Sequence, residues 1–138
     1  MKRLGICLLC MLLFSSGIAW ADMVIIAHRD VPETTITEKE LQEIFLGKRV
    51  QWKDNTTIHP VTVKETELHK AFLKQYVKKS IAKWNAHWKR LVFTGNGTPP
   101  QQFKAEQELL EYVAKTAGAI GYIDSETPVK NVTIIEVQ

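Results

Sequence analysis

Apolar positions along this chain change their spacing several times, and each change marks an element. Met23–His28 (MVIIAH) is an unbroken apolar run, the pattern of a strand buried on both faces as in a parallel sheet. Val31-Pro32 interrupts it. The period then becomes helical. Thr37 stands where an N-cap belongs, and Glu40 three residues later completes a capping box. Ile36 and Leu41 are placed to staple across it. Leu41, Ile44 and Phe45 form the apolar face, and Gly47 stops the helix where φ > 0 is needed. The turn pair Asp54-Asn55 leads back to a strand at Val61–Val63. Pro60 can only open that strand or sit at an edge. Strand, helix, strand predicts a parallel βαβ unit with a right-handed crossover.

The second half is richer in helix. Thr66 caps a predicted helix that runs to about Lys78, with Leu68, Phe72 and Tyr76 at i+4 spacing on one face. Ser80 opens another, whose Ile81, Trp84, Trp88 and Leu91 turn both tryptophans to the core and leave His87 polar or interfacial. Thr94–Pro100 reads as a loop. A helix over roughly Phe103–Thr116 follows, with Leu109, Leu110 and Val113 inward and Gly118 as its stop. Ala119–Ile123 is a short strand whose Gly121 suggests close backbone approach. Val132–Val137 is the last strand. The order β-α-β-α-α-α-β-β predicts one α/β domain, a sheet with helices packed on it.

The first residues stand apart from that pattern. Lys2 and Arg3 precede an apolar segment, Leu4–Phe14, too short to span a bilayer. Ala19-Trp20-Ala21 then has the form of a cleavage site. The expectation is a signal peptide over residues 1–21 and a periplasmic domain over 22–138, exported and not embedded in the membrane. Cys7 and Cys10, the two cysteines of the chain, fall in that segment, so the domain has no disulfide, thiol nucleophile or cysteine metal site. Without Lys2 and Arg3, 16 basic side chains face 15 acidic ones. That balance gives no support to nucleic-acid binding. His28, His59, His69 and His87 show no metal-ligand spacing, and neither a zincin nor a nucleophile-elbow motif occurs. The reading is a non-enzyme without cofactor or metal.

One stretch invites a ligand. In Ile58–Phe72 a strand feeds a helix N-terminus, where unpaired backbone N–H groups and the positive end of the dipole hold anions. Lys64, Thr66 and His69 stand beside it as donors. The plainer alternative is an ordinary strand–turn–helix with a solvated lysine. Gly95, Asn96 and Gly97 form a second candidate cradle, without the lysine and spacing of a P-loop, and a surface turn is the alternative there.

Ile44-Phe45-Leu46-Gly47-Lys48 with Trp52, Pro60-Val61, Phe72, Phe93-Thr94-Gly95 and Gly118–Ile123 (GAIGYI) follow one another as in a known family. From about Met23 to Asp124 the chain resembles the substrate-binding proteins of bacterial phosphate ABC transporters. The resemblance implies one lobe of a type II periplasmic-binding-protein-like fold, a mixed sheet flanked by helices. It also implies recognition of a phosphate-like oxyanion. Two departures qualify it. Family members are about twice as long and grip the ligand between two lobes. They also carry a Ser-Gly-Thr step after an arginine, where this chain has Lys64-Glu65-Thr66-Glu67. The expected function is therefore weak oxyanion binding, completed by a homodimer partner or an envelope protein. A ligand-free periplasmic interaction or sensory module is the alternative.

Overall fold

The apolar run Met23–His28 is strand β1, and its direction differs from the sequence expectation. In the computed structural model, which describes residues 22–138, β1 pairs antiparallel with β5 (Ala119–Asp124) on one side and β6 (Val132–Val137) on the other. Strand β3 (His59–Val63) runs parallel to β5, so it runs against β1. The predicted parallel βαβ unit from β1 to β3 is therefore not formed. An apolar run shows that a strand is buried but carries no sign of its direction. The parallel crossover lies later. It runs from β3 through two helices to β4 (Gln101–Phe103), which pairs with β3. With β2 (Thr35–Ile36), parallel to β6, the strands form one mixed six-stranded sheet in the order β2-β6-β1-β5-β3-β4.

The helices cover both faces. Helix α1 (Glu38–Phe45) has both hydrogen bonds of the expected capping box, Thr37 N to Glu40 Oε2 at 2.8 Å and Glu40 N to Thr37 Oγ1 at 3.1 Å. Gly47 beyond it has φ 77°. Helix α2 (Glu67–Phe72) passes into a π-helical turn, Leu73–Val77, which ends at Lys78 in the left-handed conformation. Helix α3 (Ile81–Phe93) follows, and α4 (Glu106–Lys115) starts three residues later than expected because Phe103 belongs to β4.

Strand β5 decides the layering. A Cβ on Gly121 would lie 2.9 Å from Leu109 Cδ2, so α4 presses on that face. Tyr122, next along, stacks on Phe72 with ring centroids 3.9 Å apart and lies 6.4 Å from Phe45, so α1 and α2 hold the opposite face. Trp84 and Trp88 are buried, as their spacing implies. The candidate signal peptide lies outside the described residues. Among those described, no helix is long and apolar enough to cross a membrane.

Candidate functional site

The turn from β3 into α2 stands at the C-terminal end of β3, and the chain builds it from local rules. Lys64 N donates to Phe103 O at 2.8 Å, which fixes the end of β3 against β4. Thr66 takes extended backbone angles, and its Oγ1 accepts from His69 N at 3.2 Å, the N-cap read from the sequence. The threonine O–H remains a donor, and the first-turn N–H groups of any helix lack intrahelical acceptors. The Lys64, Glu65, Thr66 and Glu67 side chains are exposed. The rim therefore carries one cation and two carboxylates, with Glu65 further engaged by Asn85 Nδ2 at 3.3 Å.

His69 does not join that rim. Its ring is buried at 1% exposure, hydrogen-bonded through Nδ1 to Tyr122 Oη at 2.5 Å and edge-on to Trp84. Burial pushes the imidazole below its ordinary pKa, and nearby Glu65 opposes the shift. The neutral form thus belongs to the fold, and the unfolded chain binds the proton more readily. Stability from this group is complete above about pH 6.5 and is lost as pH falls toward the depressed folded value. Thermal unfolding followed from about pH 7.5 to about pH 5 should show a decline, and His69→Gln should flatten it. An equally steep decline in the variant would remove His69 as its cause.

Gly95, Asn96 and Gly97 lie elsewhere and do a different job. Gly95 N donates to Val92 O at 3.1 Å and Asn96 N to Leu91 O at 2.8 Å, so these N–H groups close the C-terminus of α3. That is the negative end of a helix dipole, where an anion is disfavoured. Gly97 makes room for Trp88, whose Cζ3 would be 3.2 Å from an added Cβ. The loop borders Ile58 and Pro60 at the start of β3, and together with Gly47, Arg49 and Trp88 it lines a cavity of about 220 Å³. Lys64 is about 20 Å further along β3 at ~3.3 Å per residue. The two candidate segments therefore sit at opposite ends of the sheet and form no common site.

Sequence reasoning missed the strongest buried polar cluster. Glu33 is 5% exposed and accepts from Arg49 Nη2 at 2.8 and 2.7 Å and from Lys53 N at 3.1 Å. Arg49 also lies 5.6 Å from the centre of the Trp52 ring. No local pattern links residues 16 apart across a helix. Among the described residues, no group of three or more His, Cys, Asp or Glu could hold a metal ion.

Comparison with known proteins fits this lobe into a family. Residues 14–135 match the model of the PBP superfamily domain. No curated protein matches the chain. Its fold is similar to that of a putative phosphate ABC transporter substrate-binding protein with bound phosphate from Clostridium perfringens, with TM-score 0.67 and 19% identity over 83% of this chain and 44% of that one. It is likewise similar to PstS from Borrelia burgdorferi, with TM-score 0.64 and 18% identity over 84% of this chain and 47% of that one. An ABC-type phosphate transport receptor from Vibrio cholerae gives TM-score 0.63 and 17% identity over 83% and 45%. At such identities the likeness is one of fold. The chain spans less than half the length of each of these structures.

Proposed function

The chain belongs to the PBP superfamily, and from that premise we propose that it works as an exported solute-binding-like lobe. Its grip on a phosphate-like oxyanion is weak alone and is completed by a second body, either another copy of the chain or an envelope protein. The observation that carries this reading is the open turn Lys64–Thr66 at the end of β3, on a fold that spans 44% of a phosphate-bound relative. Lys64 and Thr66 are the proposed contacts. Hydrogen bonds to a charged group contribute roughly 1.5–3 kcal/mol each. Two of them give about 3–6 kcal/mol, a millimolar affinity or somewhat better. A scavenging transport protein needs about 8 kcal/mol. Exposed Glu65 and Glu67 oppose the anion further.

Isothermal titration of the protein with phosphate should therefore give a dissociation constant near millimolar, and Lys64→Ala should weaken it about tenfold. Micromolar binding by the monomer would overturn the weak-grip reading. The second reading, a ligand-free interaction or sensory module, is favoured by the inward turn of His69 and by the two glutamates at the rim. It expects no phosphate-dependent rise in melting temperature. The weak-grip reading expects about 5 °C at a tenfold excess over the dissociation constant.

A further inference from the structure

Charge is distributed very unevenly along the folded chain. Between Glu67 and Glu106 there are eight basic side chains and no acidic one, whereas the rest of residues 22–138 carries eight basic against 15 acidic. Three of those eight, Lys83, Lys89 and Arg90, lie on α3, which is held to the body by its inner face. Trp84 and Trp88 are buried there, and His87 Nε2 meets Leu46 O at 2.9 Å. The outer face is unusual for a solvated helix. At 100° per residue, Ala82, Ala86, Lys89 and Phe93 fall within about 60° of arc, and all four are exposed. Phe93 is 92% exposed and its neighbour Val92 52%. Lys83 and Arg90 lie along one edge of the stripe, and among the described residues neither they nor Lys89 has an acidic partner.

We propose that the outer face of α3 docks the protein on an anionic lipid surface, with Lys83, Lys89 and Arg90 at the headgroups and Phe93 inserted among them. A small apolar stripe with cations in it and along one edge, and with a protruding aromatic, has the make-up of a surface-bound amphipathic helix. The acidic remainder turns the molecule so that α3 approaches such a surface first. An acidic protein fits less well. Protein interfaces anchor on large side chains near their centre, ringed by contacts that exclude water. Here the centre is alanine and the one large side chain sits at the end of the helix. Glu65, reaching α3 through Asn85, is the acidic group at its first turns, away from Phe93.

The test uses the chain from Asp22 onward, which carries every element found among the described residues, so that the apolar segment before it does not itself bind lipid. Co-sedimentation with phosphatidylglycerol vesicles should exceed that with phosphatidylcholine vesicles and should fall with salt. Each cation brought to an anionic surface raises partitioning about fivefold. The Lys89→Ala/Arg90→Ala double variant should therefore bind phosphatidylglycerol about 25-fold more weakly. Phe93→Ser should lose about tenfold with an unchanged melting temperature. No binding to phosphatidylglycerol at low salt would overturn the proposal, as would equal binding to both lipids or binding that these variants leave intact. Phosphate titration is untouched by these substitutions, so failure here is distinguishable from failure of the oxyanion reading.

Discussion

Gly118→Ala is expected to lower the unfolding free energy by about 4 kcal/mol, the largest effect of any single methyl added to this chain. Gly118 has φ 81°, in the left-handed region. An alanine there costs about 1–2 kcal/mol in backbone strain alone. The added Cβ would also overlap the carbonyl oxygen of Thr57, which is backbone and cannot swing aside. Relief requires the loop before β3 and the start of β5 to part. Gly118 O accepts from His59 N at 3.0 Å and from the buried Trp52 Nε1 at 3.0 Å, so parting them costs both bonds. Each contributes about 1 kcal/mol or somewhat more. For a domain of this size the melting temperature should fall by about 15 °C, at about 4 °C per kcal/mol. Gly95→Ala is the control. Its φ is 71°, but nothing lies within 4 Å of the added Cβ. Only the strain remains, about 1 kcal/mol. Circular dichroism melts of the two variants decide the matter. Equal losses would mean that the crowding at Thr57 is relieved without cost.

The contrast also shows what a sequence makes legible. Gly47 and Gly118 both read as helix stops and both take positive φ, but only Gly47 directly follows its helix. Helix α4 has already ended at Lys115, with Thr116 extended, and Gly118 instead serves the turn into β5. Local rules likewise exposed the capping box of α1, the Thr66 and Ser80 caps and the apolar faces of α1, α3 and α4. What failed depends on distant partners. Gln101–Phe103 has two exposed glutamines and becomes a strand only because Val61–Val63 offers it a ladder. Thr35-Ile36 is two residues long and exists by pairing with Glu136-Val137. The continuous helix expected to about Lys78 breaks into a π turn at Leu73, which the i+4 pattern does not encode. At the candidate site, Lys64 and Thr66 stand where the strand–cap pattern puts them. The inward turn of His69 was hidden because its partner, Tyr122, lies 53 residues away.

The buried Glu33–Arg49 pair was the most completely hidden feature, and its removal should be the second largest effect. Glu33→Ala is expected to cost about 3–4 kcal/mol. The reason is the charge left behind more than the bonds lost. The Arg49 side chain is 19% exposed and keeps one other polar acceptor, Gln51 O at 3.2 Å from its Nε. Its Nη1 already lacks a hydrogen-bond partner and lies 4.0 Å from Glu40 Oε1. Glu33→Gln keeps the shape and an acceptor oxygen and should cost about 2 kcal/mol. The decisive measurement is the double variant Glu33→Leu/Arg49→Met. With both charges gone and the volume kept, it should recover most of the loss, since an apolar pair often matches a buried ion pair. Denaturant unfolding of Glu33→Leu, Arg49→Met and the double closes the cycle. A double variant as unstable as Glu33→Ala would mean that the carboxylate acts through Lys53, whose N–H it also accepts. The two predictions of this Discussion then bear on one another. Lys53 adjoins Trp52, which stacks under Arg49 and whose indole N–H is bonded to Gly118 O. Glycine and ion pair thus hold the same loop from its two sides. Once Gly118→Ala has freed that loop, Glu33→Ala has less left to release, so combining them should cost clearly less than the sum.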